Sequence, residues 1–405
     1  MTQHQSHQQG RAILLLSVAA FASATSARIC DPMLPELSRV FSASASEVAH
    51  VVSGFAVAYG LVQVFFGPLG DRLGKYRLIA YTTLACVAGS LGSAVALSLD
   101  QLILARFLNG VTAAGIIPLS MAWIGDTVPY EERQATLAKF LGGQIMGIIG
   151  GQFIGGLFSD TVGWRWAFVF LCLAYLSIGF GVWREARQNP QTFHRHLDGT
   201  QKAGFWAQMA LVLASPWARV ILLVVFLEGM LVFGGMAFVP LYLHRRFGLA
   251  MSAAGALMGV FGLGGLAYIV AAKRFVRRLG ELGLVVLGTA AIAVAWLLLA
   301  YGATWTMTVP AAFLLGIGYY MLHNTLQTNA TQMAPQVRGT AVSLFASAFF
   351  LGQSVGVSGG AIVFDGLGAS SLFDLSGTMI LPLGFGFAWL LRRRQSGGDS
   401  RRSTR

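Results

Sequence analysis

The sequence contains a series of apolar runs, each about 20 residues long, separated by short polar segments. A helical run of this length matches a bilayer core about 30 Å thick, because an α-helix rises about 1.5 Å per residue. The runs begin near Ala12, Val48, Leu78, Gln101, Leu137, Ala167, Ala218, Ser252, Leu282, Trp305, Thr340 and Leu372. We therefore predict an all-α membrane protein with twelve transmembrane helices, numbered below as the first to twelfth spans.

The composition argues against a water-soluble fold. Of the 405 residues, 55% are hydrophobic and 11% are charged, whereas about a quarter of the residues in soluble domains are charged. The net charge of +12 would suit nucleic-acid binding, but the basic residues punctuate apolar runs and do not cluster with aromatic residues. We therefore predict the lipid bilayer as a partner, and no nucleic acid. The cysteines (Cys30, Cys86 and Cys172) lie singly, so no metal or other cofactor is predicted.

Lys and Arg residues are distributed unevenly between the loops. With the N-terminus placed inside, most of the 28 Lys and Arg residues fall in inner segments. The outer loops hold only Arg39, Arg165, Arg245 and Arg246. The positive-inside rule then predicts a multi-pass protein of the plasma membrane, the inner membrane in bacteria, with both termini in the cytoplasm.

The two sets of six runs repeat each other at a constant offset of 206 positions. The matches are Phe55 with Phe261, Gly110 with Gly316, Pro129 with Pro335, and residues 72–74 with 278–280. This pattern indicates a parallel duplication of a six-helix unit. The first run resembles a signal peptide, but the duplication requires it as the first span of its unit. We predict an N-terminal bundle (1–183), a cytoplasmic linker (184–217), a C-terminal bundle (218–391) and a basic cytoplasmic tail (392–405).

The loop after the second run, residues 67–77, carries the most specific motif. It reads Gly67-Pro68-Leu69-Gly70-Asp71-Arg72-Leu73-Gly74-Lys75-Tyr76-Arg77. Its glycines allow a tight turn, its acid can face a helix N-terminus, and its bases can bind carboxylates or anionic lipids. The loop resembles the signature G-x-x-x-D-R-x-G-R/K-x-R/K of the major facilitator superfamily, and the chain is similar to the twelve-helix drug and metabolite:proton antiporter branch.

This resemblance implies two pseudo-symmetric six-helix bundles and a latch in the 67–77 loop that holds the halves in the outward-facing state. The implied latch residues are Gly67, Asp71, Arg72, Gly74, Lys75 and Arg77. Plain positive-inside anchoring is the alternative interpretation. The copy of the loop in the second half has Arg277 where Asp71 would stand, so one intact latch is expected. Acids in the loop after the fourth run, beginning with Asp126, are expected to pair with the bases of the latch.

Two further motifs resemble those of the same superfamily. The segment 102–110 resembles the fourth-helix motif, whose arginine, here Arg106, is linked to proton coupling; snorkelling towards the membrane surface is the alternative. The segment 147–156 resembles the exporter signature G-x-x-x-G-P-x-x-G-G, with Gln152 in place of the proline. The signature implies antiport, and this substitution leaves the direction of transport open. By residue type alone, close helix packing is predicted for Gly147, Gly151, Gly155 and Gly156.

Interior charged residues are the candidates for transport chemistry, because each is costly in a membrane unless it is paired or faces a cavity. Arg28 and Asp31 lie three residues apart on one helical face and can form a pair. Asp31 also resembles the first-helix acid of drug and metabolite exporters, with helix capping or loop solvation as the alternative interpretation. Glu228, midway through the seventh run, is the candidate coupling or substrate-binding acid, with a protonated, interhelical hydrogen bond as the alternative. Weaker candidates are His323, Asn324 and Gln353.

These features predict a secondary active transporter that exports a small organic molecule in exchange for protons, by alternating access and as a monomer. Proton-coupled uptake is the alternative, favoured by Gln152, and a non-transporting sensor is a further one. No enzyme is predicted, because metal-ligand clusters, a G-x-S-x-G elbow and a Walker loop are lacking in the sequence. The charge of the substrate stays open, since the interior offers both acids and bases.

Overall fold

The computed structural model describes residues 3–189, 192 and 204–402. Six spans form the first half. Their helices are Gln3–Arg28 with Leu34–Phe41, Ala45–Leu73, Lys75–Ala94, Leu99–Ala113 with Ile116–Thr127, Tyr130–Asp160 and Trp164–Gln188. The second half consists of Pro216–Met236 with Val239–Phe247, the double-length Met251–Tyr301, Thr308–Gln332, Arg338–Leu367 and Ala369–Arg402.

The predicted number of spans is confirmed by the helices and their hydropathy. Within the described residues, ten helices are long and apolar enough to cross a membrane. One of them, Met251–Tyr301, has 51 residues and contains both the eighth and ninth spans, because Gly280 interrupts it with a φ of 61° and a ψ of −179°. The remaining span is the 20-residue helix Lys75–Ala94. Gly74, which matches Gly280 in the repeat, also has a positive φ, 90°, so a glycine with positive φ turns the chain at the corresponding point of each half.

The duplication is visible in how the helices pack. In the first half, Gly147, Gly151 and Gly155 of the fifth span lie directly against backbone carbonyls of the first span. Glycines of the eleventh span, each 205 positions further on, lie in the same way against the seventh span. The carbonyl partners are those of Phe21, Thr25 and Ile29 in the first span, and Phe226, Met230 and Gly234 in the seventh. We call these two contacts the first and second glycine seams, and a Cβ atom at most of these positions would clash with the facing backbone.

The first and seventh spans are both broken at a corresponding point. The first helix ends at Arg28, passes through the short 3-10 turn Asp31–Met33 and resumes at Leu34. The seventh ends at Met236 and resumes at Val239. Proline follows each break and cannot donate a backbone hydrogen bond to the preceding turn. The break therefore places the side chains of residues 28–31 inside the bundle.

The linker contains a helix that the sequence analysis did not predict. The sixth span continues to Gln188 and the seventh begins at Pro216, both within the predicted linker range. Between them, the helix Phe205–Ala214 packs its Phe205 ring 5.1 Å from the ring of Phe65 in the second span. The predicted linker residues 190–191 and 193–203 and the last three residues of the predicted tail lie outside the described residues.

An even number of spans places residues 3 and 402 at the same end of the molecule, which we call the basic end. The opposite end, which carries the turns 42–44, 161–163 and 248–250, is called the far end. The halves meet along the second and eleventh spans and along the fifth and eighth spans. Ser347 Oγ, for example, donates a hydrogen bond of 2.6 Å to the Gly60 carbonyl across this boundary. At the far end, further hydrogen bonds join the halves.

Candidate functional site

A buried polar group lies at the break in the first span. Arg28 Nη1 is 3.5 Å from Asp31 Oδ2, and the same carboxylate oxygen accepts a 2.9 Å hydrogen bond from Gln152 Nε2 of the fifth span. All three side chains are buried. We call Arg28, Asp31 and Gln152 the first-half cluster. Gln152, which replaces the exporter proline, thus supplies a polar group that stabilises Asp31.

The first-half cluster also contacts the second half of the molecule. Arg28 Nη2 donates a 3.1 Å hydrogen bond to Gln353 Oε1 of the eleventh span. The Arg28 guanidinium lies 4.2 Å from the centre of the Phe233 ring of the seventh span, a cation–π contact. Arg28 is therefore placed at the boundary between the halves, where relative movement of the halves would change its surroundings.

A second polar pair lies within the second half. His323 Nδ1 of the tenth span is 2.7 Å from Glu228 Oε2 of the seventh span. The Glu228 side chain is 0% exposed, whereas 17% of the His323 side chain is exposed. We call Glu228 and His323 the second-half cluster. Its histidine is therefore the more exposed member of the pair.

Aromatic rings separate the two clusters. Tyr319 stacks on the ring of His323 with centroids 4.8 Å apart, and it meets Phe233 edge-on at 5.1 Å. Phe349 contacts both Phe233, at 5.3 Å, and His323, at 5.2 Å. These residues (Phe233, Tyr319 and Phe349) form what we call the aromatic partition. One side of the partition therefore faces Arg28, and the other faces the Glu228 carboxylate through His323.

Both clusters contain polar atoms with unused hydrogen-bonding capacity. Among the described residues, buried atoms without a hydrogen-bond partner include Arg28 Nη1, Asp31 Oδ1, Gln152 Oε1 and Glu228 Oε1. Buried polar atoms are normally satisfied, so a concentration of unsatisfied ones needs an explanation. Their position in two facing clusters is suited to binding a polar ligand or protons.

Arg106 does not point towards the membrane surface, so the snorkelling alternative is wrong. Its side chain is fully buried and donates to the Ser26 carbonyl at 2.8 Å and to Ser26 Oγ at 3.1 Å. The guanidinium also lies 4.4 Å from the centre of the Phe55 ring. These hydrogen bonds and the ring contact compensate for its burial, and they tie the fourth span to the first span just before Arg28.

The remaining candidates occupy different places. Asn324 Nδ2 donates to the hydroxyl of Tyr268 in the eighth span at 2.9 Å, so it is not part of either cluster. The predicted loop 67–77 is shorter than expected, because only Gly74 lies outside the helices Ala45–Leu73 and Lys75–Ala94. In this segment, Lys75 Nζ lies 3.1 Å from Asp71 and 2.5 Å from Asp126. The expected acid–base pairing is therefore present, and these contacts lie within the first half.

The sequence analysis named the members of both clusters but did not pair Glu228 with His323 or Asp31 with Gln152. Glu228 and His323 are 95 positions apart, and Asp31 and Gln152 are 121 apart. Hydropathy and local spacing do not report on contacts between such distant helices. The only sequence signal was the need of each isolated interior polar residue for a partner.

Comparisons with known proteins agree with this architecture. The uncharacterized MFS-type transporter YwfA of Bacillus subtilis is 22% identical over 344 residues, which are 85% of this chain and 83% of that protein. The multidrug export protein EmrB of Haemophilus influenzae is 31% identical over 180 residues, 44% of this chain. The match to EmrB spans only 35% of that protein's length.

Solved structures share the fold at low sequence identity. A bacterial homolog of the human lysosomal transporter Spinster, inward-facing and unoccupied, has a TM-score of 0.71 at 18% identity and covers 97% of this chain and 98% of its own. A point mutant of the nucleoside transporter NupG has a TM-score of 0.73 at 14% identity, with 93% and 98% covered. The family model described as Major Facilitator Superfamily matches residues 16–357. Because this match covers most of a chain with duplicated six-span halves, the protein belongs to the Major Facilitator Superfamily, as the 67–77 loop predicted.

Proposed function

We propose that this transporter exports a small organic molecule in exchange for protons, by alternating access between its two halves. The observation that carries the proposal is the second-half cluster. A carboxylate that is fully buried and bonded to a partly exposed histidine can take up and release a proton through that histidine. Among the described residues, Glu228 forms no ion pair with Lys or Arg. Its carboxylate can therefore gain or lose a proton without leaving a Lys or Arg unpaired.

The substrate site of this proposal lies between the two clusters, at the boundary of the halves. The rings of the aromatic partition offer apolar surface for the body of an organic molecule, and the unsatisfied atoms of Arg28, Asp31 and Glu228 offer polar contacts. Secondary transporters bind ligands near the membrane midplane between their repeats. A site that touches both halves lets ligand binding favour one relative arrangement of the halves over the other.

The direction of transport is proposed from the relatives. EmrB, which is named a multidrug export protein, is similar to 44% of this chain. The basic end is proposed to face the cytoplasm, in the plasma membrane or bacterial inner membrane, because it carries most of the Lys and Arg residues. The hydrogen bonds that join the halves at the far end support an inward-facing assignment for the described arrangement. Both six-span halves lie in one chain, which supports function as a monomer.

Transport in proteoliposomes under an imposed pH gradient tests the proposal. We would load vesicles with organic cations, anions and neutral aromatic compounds in separate experiments, and compare the wild type with Glu228→Gln. The amide keeps a hydrogen-bonding group beside His323 but cannot carry a proton. We expect the variant to lose gradient-driven accumulation while it still exchanges substrate for substrate.

The matched control is Asn324→Ala, which changes the residue next to His323 but leaves the second-half cluster intact. It should keep the response to the pH gradient. If Glu228→Gln also keeps that response, Glu228 is not the proton carrier and the interhelical hydrogen bond is structural. If no compound moves in response to a gradient in the wild type, proton antiport is wrong.

Proton-coupled uptake remains a second candidate because Gln152 replaces the exporter proline and bonds directly to Asp31. A proline at this position would leave Asp31 without that donor. Accumulation of substrate by intact cells, compared with cells that lack the gene, separates the two directions. Higher intracellular substrate in the expressing cells would overturn the export proposal and favour uptake.

A further inference from the structure

At the far end, a carboxylate of the first half holds the start of a helix in the second half. Asp160 is the last residue of the fifth span. Its Oδ1 accepts a 3.0 Å hydrogen bond from the Met251 amide, and its Oδ2 accepts bonds of 2.7 Å from the amide and 2.6 Å from the hydroxyl of Ser252. Met251 begins the eighth span, so Asp160 binds its first turn from the other half.

The same arrangement occurs with the halves exchanged. Asp365, near the end of the eleventh span, accepts bonds of 2.8 Å from the amide and 2.7 Å from the hydroxyl of Ser46. Ser46 lies in the first turn of the second span. Asp365 follows Asp160 by 205 positions and Ser252 follows Ser46 by 206. We call the two contacts the Asp160 clamp and the Asp365 clamp.

Each clamp uses the free amides and the positive end of a helix. The first amides of a helix have no partner within it, and the helix dipole places partial positive charge there. A carboxylate accepts hydrogen bonds from these amides, and its negative charge is attracted to the positive end of the helix dipole. The residue preceding the eighth span is Ala250, which provides no side-chain cap, so Asp160 supplies the cap from the other half. The second span already has a capping box formed by Ser44 and Glu47. Asp365 therefore contributes additional hydrogen bonds to a helix end that is capped by its own residues.

The backbone around the Asp160 clamp is closely packed. Gly156, one turn before Asp160, lies against the backbone of Met251, and Gly255 lies against the carbonyl of Gln152. Gly156 was predicted as a packing glycine. Its contact joins the two halves, whereas the glycine contacts of the first glycine seam lie within the first half. Asp160 and Gln152 of the first-half cluster therefore lie on the same helix, and the Gln152 carbonyl takes part in this close packing between the halves.

We propose that the two clamps form the far-end gate of the transporter: they hold the halves together while the far end is closed, and both break each time it opens. The inference rests on the proposed alternating access, but it requires neither proton coupling nor a particular direction of transport. The Asp160 clamp contributes more than the Asp365 clamp, because only the eighth span lacks a cap of its own.

Distances between nitroxide labels at the far end test the gate. Labels on Val162 and Ala250, both exposed, lie on opposite halves near the Asp160 clamp. They would be attached to a variant without native cysteines, reconstituted in lipid nanodiscs and measured by pulsed electron paramagnetic resonance. Asp160→Ala should raise the ratio of long to short distances about fivefold, as expected for the loss of a helix cap. Asp365→Ala should raise it about twofold, and the double variant about tenfold.

The control is Asp374→Ala, which removes another far-end carboxylate. The Asp374 carboxylate accepts a 3.0 Å hydrogen bond from the Tyr301 hydroxyl, and both residues belong to the second half. Its removal should therefore leave the label-to-label distances unchanged. Ser252→Ala, which keeps both amide donors, should give a smaller shift than Asp160→Ala and remain folded. Unchanged distances in the double variant would overturn the gate, and so would an equal shift in Asp374→Ala. Because no transport is measured, failure of proton antiport would not affect this result.

Discussion

The two halves of the molecule share a backbone arrangement but carry different polar side chains. The first and second glycine seams have the same register, and both halves break the first of their six helices at the same point. At that break the first half places a permanent cation and an acid, Arg28 and Asp31. The second half places Glu228 earlier in the corresponding helix and pairs it with a histidine. Duplication thus preserved the helix contacts while the interior chemistry diverged.

This difference separates the roles that the two clusters can have. The first-half cluster is buried throughout and includes a guanidinium that stays charged at any physiological pH. The second-half cluster contains a partly exposed imidazole and, among the described residues, no Lys or Arg paired with its carboxylate. The first-half cluster is therefore suited to holding charge in place, whereas the second is the one that we propose for proton transfer.

The largest effect is expected for Asp31→Asn. This change leaves the Arg28 cation buried without its acid, and breaking a buried ion pair costs about 3–5 kcal/mol of stability. Thermal unfolding in detergent, followed by tryptophan fluorescence, measures the loss. The double variant Arg28→Gln with Asp31→Asn removes both charges and should recover much of it. A single variant as stable as the wild type would contradict the charge-holding role of the first-half cluster.

The second prediction concerns the feature that the halves share. Gly151→Ala and Gly356→Ala each insert a methyl group against a backbone carbonyl, and we expect each to lower stability by about 1–3 kcal/mol. Controls are Gly142→Ala and Gly359→Ala, which meet nothing within 4 Å and should be neutral or slightly stabilising. The same unfolding measurement applies. A loss in only one half would show that the two seams are not equivalent.

The third prediction is a smaller stability effect for Glu228→Gln than for Asp31→Asn. The Gln side chain can still hydrogen-bond His323, and no Lys or Arg among the described residues loses a paired acid. We expect a loss of about 1 kcal/mol, the usual net value of one hydrogen bond. Parallel unfolding of the two variants makes the comparison direct. A loss as large as that of Asp31→Asn would contradict this difference between the two clusters.

The smallest effect is expected at the basic end, in the 67–77 loop. Lys75→Gln removes the contacts to Asp71 and Asp126, whose side chains are 44% and 34% exposed. Ion pairs of such exposure contribute less than about 1 kcal/mol, so unfolding should change little. The repeat places Arg277 and Glu281 at the positions of Asp71 and Lys75, with the charges exchanged. A loss above about 2 kcal/mol would contradict a surface pairing.

Much of the architecture follows from the sequence because its signals are local or periodic. Apolar runs of bilayer length determine the spans, and the offset between residues such as Gly110 and Gly316 reveals the two halves. The loop around Asp71 identified the superfamily. Gly352 and Gly356 repeat Gly147 and Gly151 at an offset of 205, so the second glycine seam was also visible in the sequence, although it was not predicted.

Contacts between distant spans were decided only by the tertiary structure. Hydropathy places Glu228 and His323 in two membrane helices but does not determine which faces of these helices meet, because that depends on packing across the whole bundle. The same is true of the hydrogen bond from Gln152 to Asp31 and of the Asp160 clamp at the far end. By itself, therefore, the sequence determined the spans, the repeat and the family, while close packing of helices far apart in the chain decided which polar groups share a site.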